Sequence, residues 1–159
     1  MKITLSLEED GQENHSVEIE TEPTQILHSI ADKVAKDFDT DVEDILQCLA
    51  ESRGHDSGNT SVAEFFGDER RLYRLRLVCI TLHFEGESAT RRFHASRTWR
   101  EVHRWGCKRF CIAEDACPNL ELRDGGVEGL LINENQKIGK VHGCKNVWLV
   151  APGPEQNGK

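Results

Sequence analysis

The sequence predicts an α+β protein built from two tandem units of the same plan. The alternating segment 3–7 is echoed 77 residues later at 80–84, and a helix-start signal follows each copy. Strict alternation of apolar and polar residues is typical of a half-buried strand, and self-similarity at a fixed spacing indicates repeated units. We therefore expect strand–strand–helix–strand–loop–strand in each half.

Each opening strand is followed by a turn and a second strand. The first turn is the acidic segment 9–14, and the second is the shorter segment 85–88. The second strands are predicted at 15–20 and 89–95. Each half therefore starts with a β-hairpin.

A helix should follow each hairpin. Thr24 and Thr98 have the short hydroxyl side chain that favours the N-cap position. Glu101 follows Thr98 by three residues, which is the spacing of a capping box. In the first helix, apolar residues at 27, 30 and 34 lie on one face.

Two further strands are predicted in each half. The third strands are expected at 46–50 and 120–123, and the closing strands at 72–77 and 146–151. Only Val78 and Cys79 separate the first closing strand from the second opening strand. The predicted domains are therefore 1–78 and 79–151, followed by an extended tail at 152–159.

Charge is distributed unevenly between the two halves. The 159 residues carry a net charge of −8, of which residues 1–78 contribute −10 and residues 79–159 contribute +2. The second half is too weakly basic for a nucleic-acid footprint. No apolar run approaches the roughly 20 residues of a membrane span, and the first residues alternate rather than form the apolar core of a signal peptide. We expect a cytoplasmic protein that binds neither nucleic acid nor membranes.

The six cysteines allow three interpretations. Three disulfides are possible, but reduced thiols are expected in a cytosolic chain of this size. A zinc site is the third possibility, because His103, Cys107 and Cys111 recur at helical spacing with Cys117 beyond them. No paired Cys-x2-Cys cluster is present, so we predict no metal and no cofactor. The chain also has no nucleophile or phosphate-loop motif, and we predict that it is not an enzyme.

A helix between hairpins with a long closing strand resembles the β-grasp fold of ubiquitin and its relatives. The local echoes are Met1-Lys2-Ile3, Thr24-Gln25-Ile26 at the helix entry, and the closing segment Leu72-Tyr73-Arg74-Leu75-Arg76-Leu77. Two such units with almost no linker resemble the interferon-induced two-domain ubiquitin-like modifier. They also resemble the two-domain modifiers of bacterial antiphage conjugation systems. The fold class expected from this resemblance is two tandem ubiquitin-like β-grasp domains.

The resemblance implies conjugation through a C-terminal glycine. The partners would be an adenylating activating enzyme, a conjugating enzyme, a deconjugating peptidase and a target protein, with a phage structural protein as a candidate target. The chain departs from the eukaryotic pattern because no Gly-Gly follows the closing strand. We expect a peptidase to remove Lys159 and expose the carboxylate of Gly158 for conjugation. Gly153 is the other candidate end, although Pro154 would then follow the cleaved bond.

The closing strand of the second half carries the candidate partner-binding residues. Alternation places Trp148 and Val150 on the open face of the sheet, with Pro152 and Gly153 following in the tail. Trp is enriched where binding energy concentrates, so this face is a candidate docking surface. The alternative is that Trp148 packs between the two units. For the whole chain, the alternative function is a tandem ubiquitin-like adaptor that binds proteins without being conjugated.

Overall fold

The computed structural model describes most of the chain. The described residues are 2–9, 12–53, 61–62, 72–141 and 143–152. The strands are β1 (Lys2–Glu9), β2 (Gln12–Glu20), β3 (Leu72–Phe84), β4 (Glu87–His94), β5 (Glu121–Asp124), β6 (Leu130–Leu131) and β7 (Cys144–Val150). The helices are α1 (Leu27–Asp37), α2 (Val42–Arg53), α3 (Trp99–Arg109) and a 3-10 turn at Cys117–Asn119. Among these helices, none is long and apolar enough to cross a membrane.

The chain divides into two compact units. Unit 1 comprises 1–78 with 92–94, and unit 2 comprises 79–91 with 95–159. Strand β3 contributes its first part to unit 1 and its second part to unit 2. In unit 1 the strand order is β2-β1-β3, and in unit 2 β3 pairs with β4 and β7. The expected strands at 72–77 and 80–84 are one continuous strand, so no linker separates them.

In unit 1, the β1–β2 hairpin and helices α1 and α2 enclose an apolar core. Strands β1 and β2 are antiparallel, and β1 runs parallel to the first part of β3. The alternation predicted for 3–7 is confirmed, because Ile3, Leu5 and Leu7 are all at most 2% exposed. They pack with Ile30 and other residues of the helices in a single cluster.

The third strand predicted at 46–50 is wrong, because this segment lies in helix α2. Ile45, Cys48 and Leu49 are buried there, which is the three- and four-residue spacing of a helix. A short apolar run does not distinguish strand from helix, and here the helical face decides. The N-cap predicted at Thr24 is also wrong: α1 starts at Leu27, and its N-cap is Ile26 without a side-chain cap.

In unit 2, helix α3 crosses a sheet whose central strands are parallel. Strand β7 runs parallel to the second part of β3 and antiparallel to β5, and β5 pairs with β6. The strand order is therefore β4-β3-β7-β5-β6. The fully buried side chains Leu82, Val102 and Val147 come from β3, α3 and β7 and form the layer between helix and sheet.

The predicted start of α3 is confirmed in detail. The Thr98 side chain accepts a hydrogen bond from the Glu101 amide, and the Glu101 side chain accepts one from the Thr98 amide. This capping box satisfies two amides that the first helical turn leaves without partners. Gly106 lies on the buried face of this helix, where a Cβ would come within 2.1 Å of the Leu82 side chain. Glycine there allows close packing of the helix on β3.

The expectation of six reduced thiols is wrong at four positions. Cys79 is bonded to Cys144, and Cys107 is bonded to Cys117. The first pair is a direct partner pair between β3 and β7, with 4.4 Å between the Cα atoms. The register therefore brings together two sulfurs that are 65 residues apart in sequence. Cys48 and Cys111 are the cysteines outside these two disulfides in the described part of the chain.

Candidate functional site

The candidate site lies on unit 2, where β7 ends and the predicted tail begins. Alternation along β7 buries Val147 and Leu149 against the core, and Trp148 and Val150 are half-buried on the other side. The predicted placement of Trp148 and Val150 away from the core is therefore confirmed. Ala151 and Pro152 follow and are exposed.

The register between β3 and β7 sets three cross-strand pairs, each two residues after the last. Cys79 faces Cys144, Thr81 faces Asn146, and His83 faces Trp148. The first of these pairs is the disulfide, which ties the two strands together four residues before the last pair. This bond holds fixed the strand register that places His83 beside Trp148.

Trp148 is held by an aromatic stack. The rings of His83 and Trp148 lie 4.7 Å apart between centroids, at an angle of 19°. The Nε2 atom of His83 is also 2.8 Å from the Oδ1 atom of Asn146. On the other side, Trp148 is the register partner of Arg123 in β5. Arg123 donates hydrogen bonds to the Gly129 carbonyl and the Glu121 carboxylate. Trp148 therefore has, on each neighbouring strand, a register partner whose side chain is hydrogen-bonded.

A cavity of about 580 Å³ opens beside Trp148. Its lining residues are His83, Phe84, Glu85, Gly86, Glu87, Ser88, Ile112, Ala116, Leu120, Val127, Trp148, Leu149, Val150 and Ala151. We call this cavity the Trp148 pocket. Most of its wall is apolar, and its volume is in the range of sites that accept a small molecule or a few protein side chains.

The polar part of the Trp148 pocket is acidic. Glu85 lies in the tight turn between β3 and β4, Glu87 is the first residue of β4, and both are exposed. This turn reverses the chain through positive φ angles at Glu85 and Gly86, 48° and 84°. An apolar cavity beside two carboxylates suits an aliphatic or aromatic side chain next to a basic residue.

The predicted site residues divide into two groups. Trp148 and Val150 line the Trp148 pocket, and Pro152 lies immediately beyond it. Gly153, Gly158 and Lys159 lie outside the described residues. Sequence reasoning missed His83 and the disulfide behind it. The signal was present, because Cys79 precedes His83 by the same four residues as Cys144 precedes Trp148. A register that pairs the cysteines also pairs the two rings.

The histidine and cysteines considered for zinc come together in part. Ligand atoms of His103, Cys107 and Cys117 lie within 4.8 Å of one another. Cys111 is exposed and apart from them. Helix α3 ends at Arg109, and Cys111 takes a positive φ of 56°, so the helical spacing does not continue to this residue.

His103 is hydrogen-bonded through both of its ring nitrogens. Its Nδ1 atom is 2.8 Å from a carboxylate oxygen of Glu134, and its Nε2 atom is 2.8 Å from the Cys117 carbonyl oxygen. Burial alone would lower the pKa of His103. The hydrogen bonds with Glu134 and the carbonyl outweigh burial and raise this pKa above its ordinary value of 6.5.

No protein-family model matches the chain, and no curated protein matches its sequence. Among solved structures, the chain is similar to a ubiquitin of Caldiarchaeum subterraneum. The TM-score is 0.40 and the identity 11%, covering 48% of this chain and 95% of the ubiquitin.

Two further structures give similar values. One is reported as "Molecular Mimicry of SUMO promotes DNA repair" (TM-score 0.38, 16% identity, 46% of this chain and 90% of the other). The other is the N-terminal ubiquitin-like domain of the 4931431F19Rik protein. Its TM-score is 0.38 and its identity 11%, covering 48% of this chain and 76% of that domain. Each of the three likenesses covers 46–48% of this chain.

Proposed function

We propose that the protein is a ubiquitin-like modifier with two tandem β-grasp domains, 1–78 and 79–151, that is conjugated to target proteins. The observation that carries this proposal is the Trp148 pocket beside the end of the closing strand. Trp148 and Val150 line it, and the chain continues from them through exposed Ala151 and Pro152 toward the glycines of the tail. An enzyme that holds this pocket is positioned to receive the tail that follows.

A recurring backbone contact supports the tandem organisation. In unit 1, the Val62 amide donates to the Gln25 carbonyl just before α1. In unit 2, the Ile138 amide donates to the Arg97 carbonyl just before α3. Both Val62 and Ile138 are buried, so each anchors a later segment at the start of the helix. In each unit, a strand that precedes the helix is also parallel to the closing strand.

The proposed chemistry takes place on the carboxylate of Gly158. A peptidase hydrolyses the bond between Gly158 and Lys159. An activating enzyme then joins the Gly158 carboxylate to the α-phosphate of ATP and releases pyrophosphate. An enzyme thiol displaces AMP to form a thioester, and a target amine displaces the thiol to form an amide. Glycine suits this sequence because it has no side chain to obstruct a narrow channel.

In this proposal the protein is the substrate of several enzymes and is itself no enzyme. Its partners are an activating enzyme, a conjugating enzyme, a deconjugating peptidase and a target, in the cytoplasm of a bacterium under phage attack. A phage structural protein is the candidate target. The net charge of −10 on residues 1–78 suits unit 1 for a basic surface of that target.

The test is the intact mass of the tagged chain expressed with the genes that flank its own. We expect loss of Lys159 and a higher-mass conjugate that disappears in Gly158→Asp. The matched control Gly153→Asp should still be conjugated if Gly158 is the mature end. Trp148→Ala should reduce conjugate formation while leaving the fold intact by circular dichroism. A single species that retains Lys159 and gives no adduct with any flanking gene would refute the modifier.

The Trp148 pocket also supports the alternative of an unconjugated adaptor, because its lining residues in the described part of the chain all lie at or before Ala151. Stopping the chain after Pro152 separates the two functions. A modifier loses all activity in this truncation, whereas an adaptor keeps its partner and loses it only in Trp148→Ala. Phage resistance of cells and capture of the partner are the two readouts.

A further inference from the structure

A cluster of metal-binding side chains lies away from the Trp148 pocket. His103 and Cys107 are one turn apart on the buried face of α3, and Cys117 opens the 3-10 turn that follows the helix. One nitrogen of His103 and the two sulfurs lie within 4.8 Å of one another. His103 and Cys107 are 6% and 4% exposed, and Cys117 is half-buried. One imidazole and two thiolates are ligands that zinc prefers.

The second feature of the cluster is the carboxylate behind the histidine. Both oxygens of Glu134 lie within 2.9 Å of the Nδ1 atom of His103. The Nε2 atom points to the other side and meets the Cys117 carbonyl at 2.8 Å. A histidine that ligates a metal through one nitrogen commonly donates its other N–H to a carboxylate, which sets the tautomer and the ring orientation. His103 is already held in this way.

We propose that His103, Cys107 and Cys117 bind a zinc ion when the Cys107–Cys117 disulfide is reduced. A dithiol supplies two electrons and two protons, becomes a disulfide itself, and leaves two thiols on the protein. Zinc binding would release one proton from each thiol and the proton that Nε2 of His103 donates to the carbonyl, and the freed Nε2 lone pair would turn to the ion. The proposal stands independently of the conjugation function.

The geometry requires a small movement of the sulfurs. Two Zn–S bonds of about 2.3 Å at a tetrahedral angle separate the sulfurs by about 3.8 Å, so the bonded sulfurs must move apart. The Cα atoms of Cys107 and Cys117 are 5.9 Å apart, and the second residue lies in a short turn rather than in the sheet. Rotation of the two side chains therefore opens the space. Among the described residues the cluster offers three ligands without Cys111, so a tetrahedral zinc would leave its fourth position to water.

The disulfide and the metal exclude each other, which makes this site sensitive to the redox state. The oxidised cluster has no thiolate to offer. The reduced cluster has two, held beside an oriented histidine. In a reducing cytoplasm, zinc would replace the disulfide as the link between α3 and the 3-10 turn.

The test uses the full chain, reduced with a dithiol and desalted without oxygen. Cobalt(II) serves as the spectroscopic probe, and zinc affinity is measured by competition with a coloured chelator. We expect one ion per reduced chain, with a thiolate-to-cobalt charge-transfer band, and no binding by the oxidised chain. Cys107→Ser and Cys117→Ser should lose the band. Cys111→Ser and Cys144→Ser are the matched controls, and each should keep it.

Glu134→Gln keeps all three ligands and tests the oriented histidine without relying on cysteine variants that may fold poorly. It should weaken zinc binding by about 10- to 100-fold, the usual effect of losing a carboxylate behind a metal-bound histidine. A reduced wild-type chain without a charge-transfer band would overturn the proposal. So would unchanged zinc affinity in Glu134→Gln, or loss of the band in Cys111→Ser alone.

Discussion

Removing the Cys79–Cys144 bond should destabilise unit 2 more than removing the Cys107–Cys117 bond. A disulfide stabilises a fold mainly by restricting the unfolded chain, and this effect grows with the length of the loop that it closes. The two loops differ strongly, with sequence separations of 65 and 10 residues. The loop-entropy relation gives about 4.3 kcal/mol for the long loop and about 2.7 kcal/mol for the short loop at 25 °C.

The variants are Cys144→Ser for the long loop and Cys117→Ser for the short loop. Cys144 is exposed, so its replacement removes the bond with little change in packing. Cys111→Ser is the matched control, since it removes an exposed sulfur that forms no bond. With a urea m-value of about 2 kcal/mol/M, the midpoint should fall by about 2 M for the long loop and by slightly more than 1 M for the short one.

Tryptophan fluorescence is the natural assay. All three tryptophans of the chain belong to unit 2, as do both disulfides. The emission therefore reports the unit in which the bonds lie. Intact mass checks the starting state, because the oxidised chain is lighter than the reduced chain by four hydrogens. If Cys144→Ser unfolds at the same urea concentration as Cys111→Ser, the loop-entropy reasoning is refuted.

Three further predictions follow from the packing and the titrating groups. Leu82→Ala should lower the free energy of unfolding by about 2–5 kcal/mol, because this leucine is fully buried beneath α3. Urea titration measures this loss, and a loss below about 1 kcal/mol would contradict the prediction. Burial alone would raise the pKa of Glu101, but hydrogen bonds from Arg97 and Thr98 outweigh it and lower this pKa below 4.5. Because the folded-state pKa is the lower one, Glu101 stabilises the fold above the unfolded-state pKa and loses this effect as pH falls through the folded-state value. The melting temperature of Glu101→Gln should therefore lie below that of the wild type at pH 7 and approach it at pH 3; an equal gap at both would argue against the capping role. Burial and the nearby carboxylates of Glu51 and Asp44 raise the pKa of Cys48 to about 12. In the native protein, iodoacetamide at pH 8 should therefore alkylate the exposed Cys111 and spare Cys48. Peptide mapping measures which of the two is alkylated.

Local patterns predicted those elements whose signal lies within a few neighbouring residues. The opening strand of each half follows from alternation, and the start of α3 follows from Thr98 and Glu101. The strand predicted at 46–50 was wrong because the apolar run of this segment fits both a strand and a helix. Only the burial of Ile45 together with Cys48 and Leu49 shows the helical face.

The candidate site also combines features that local patterns predict with features that depend on distant residues. Alternation alone placed Trp148 and Val150 on the face opposite the core. The stack on His83 and the walls of the pocket depend on the register between β3 and β7. The register belongs to two strands that are more than 60 residues apart, and the sequence of either strand alone does not specify it. The contact with Glu134 that orients His103 arises in the same way.

The sequence by itself determined the α+β class, the opening strands, the capping box and the outward placement of Trp148, because each is encoded by the period or spacing of neighbouring residues. Only the tertiary structure decided which sulfurs are bonded, which ring packs on Trp148 and which three ligands meet beside Glu134. These contacts join residues that are distant in the chain. Their geometry is set by how the strands pair and where the helices pack, which no local pattern records.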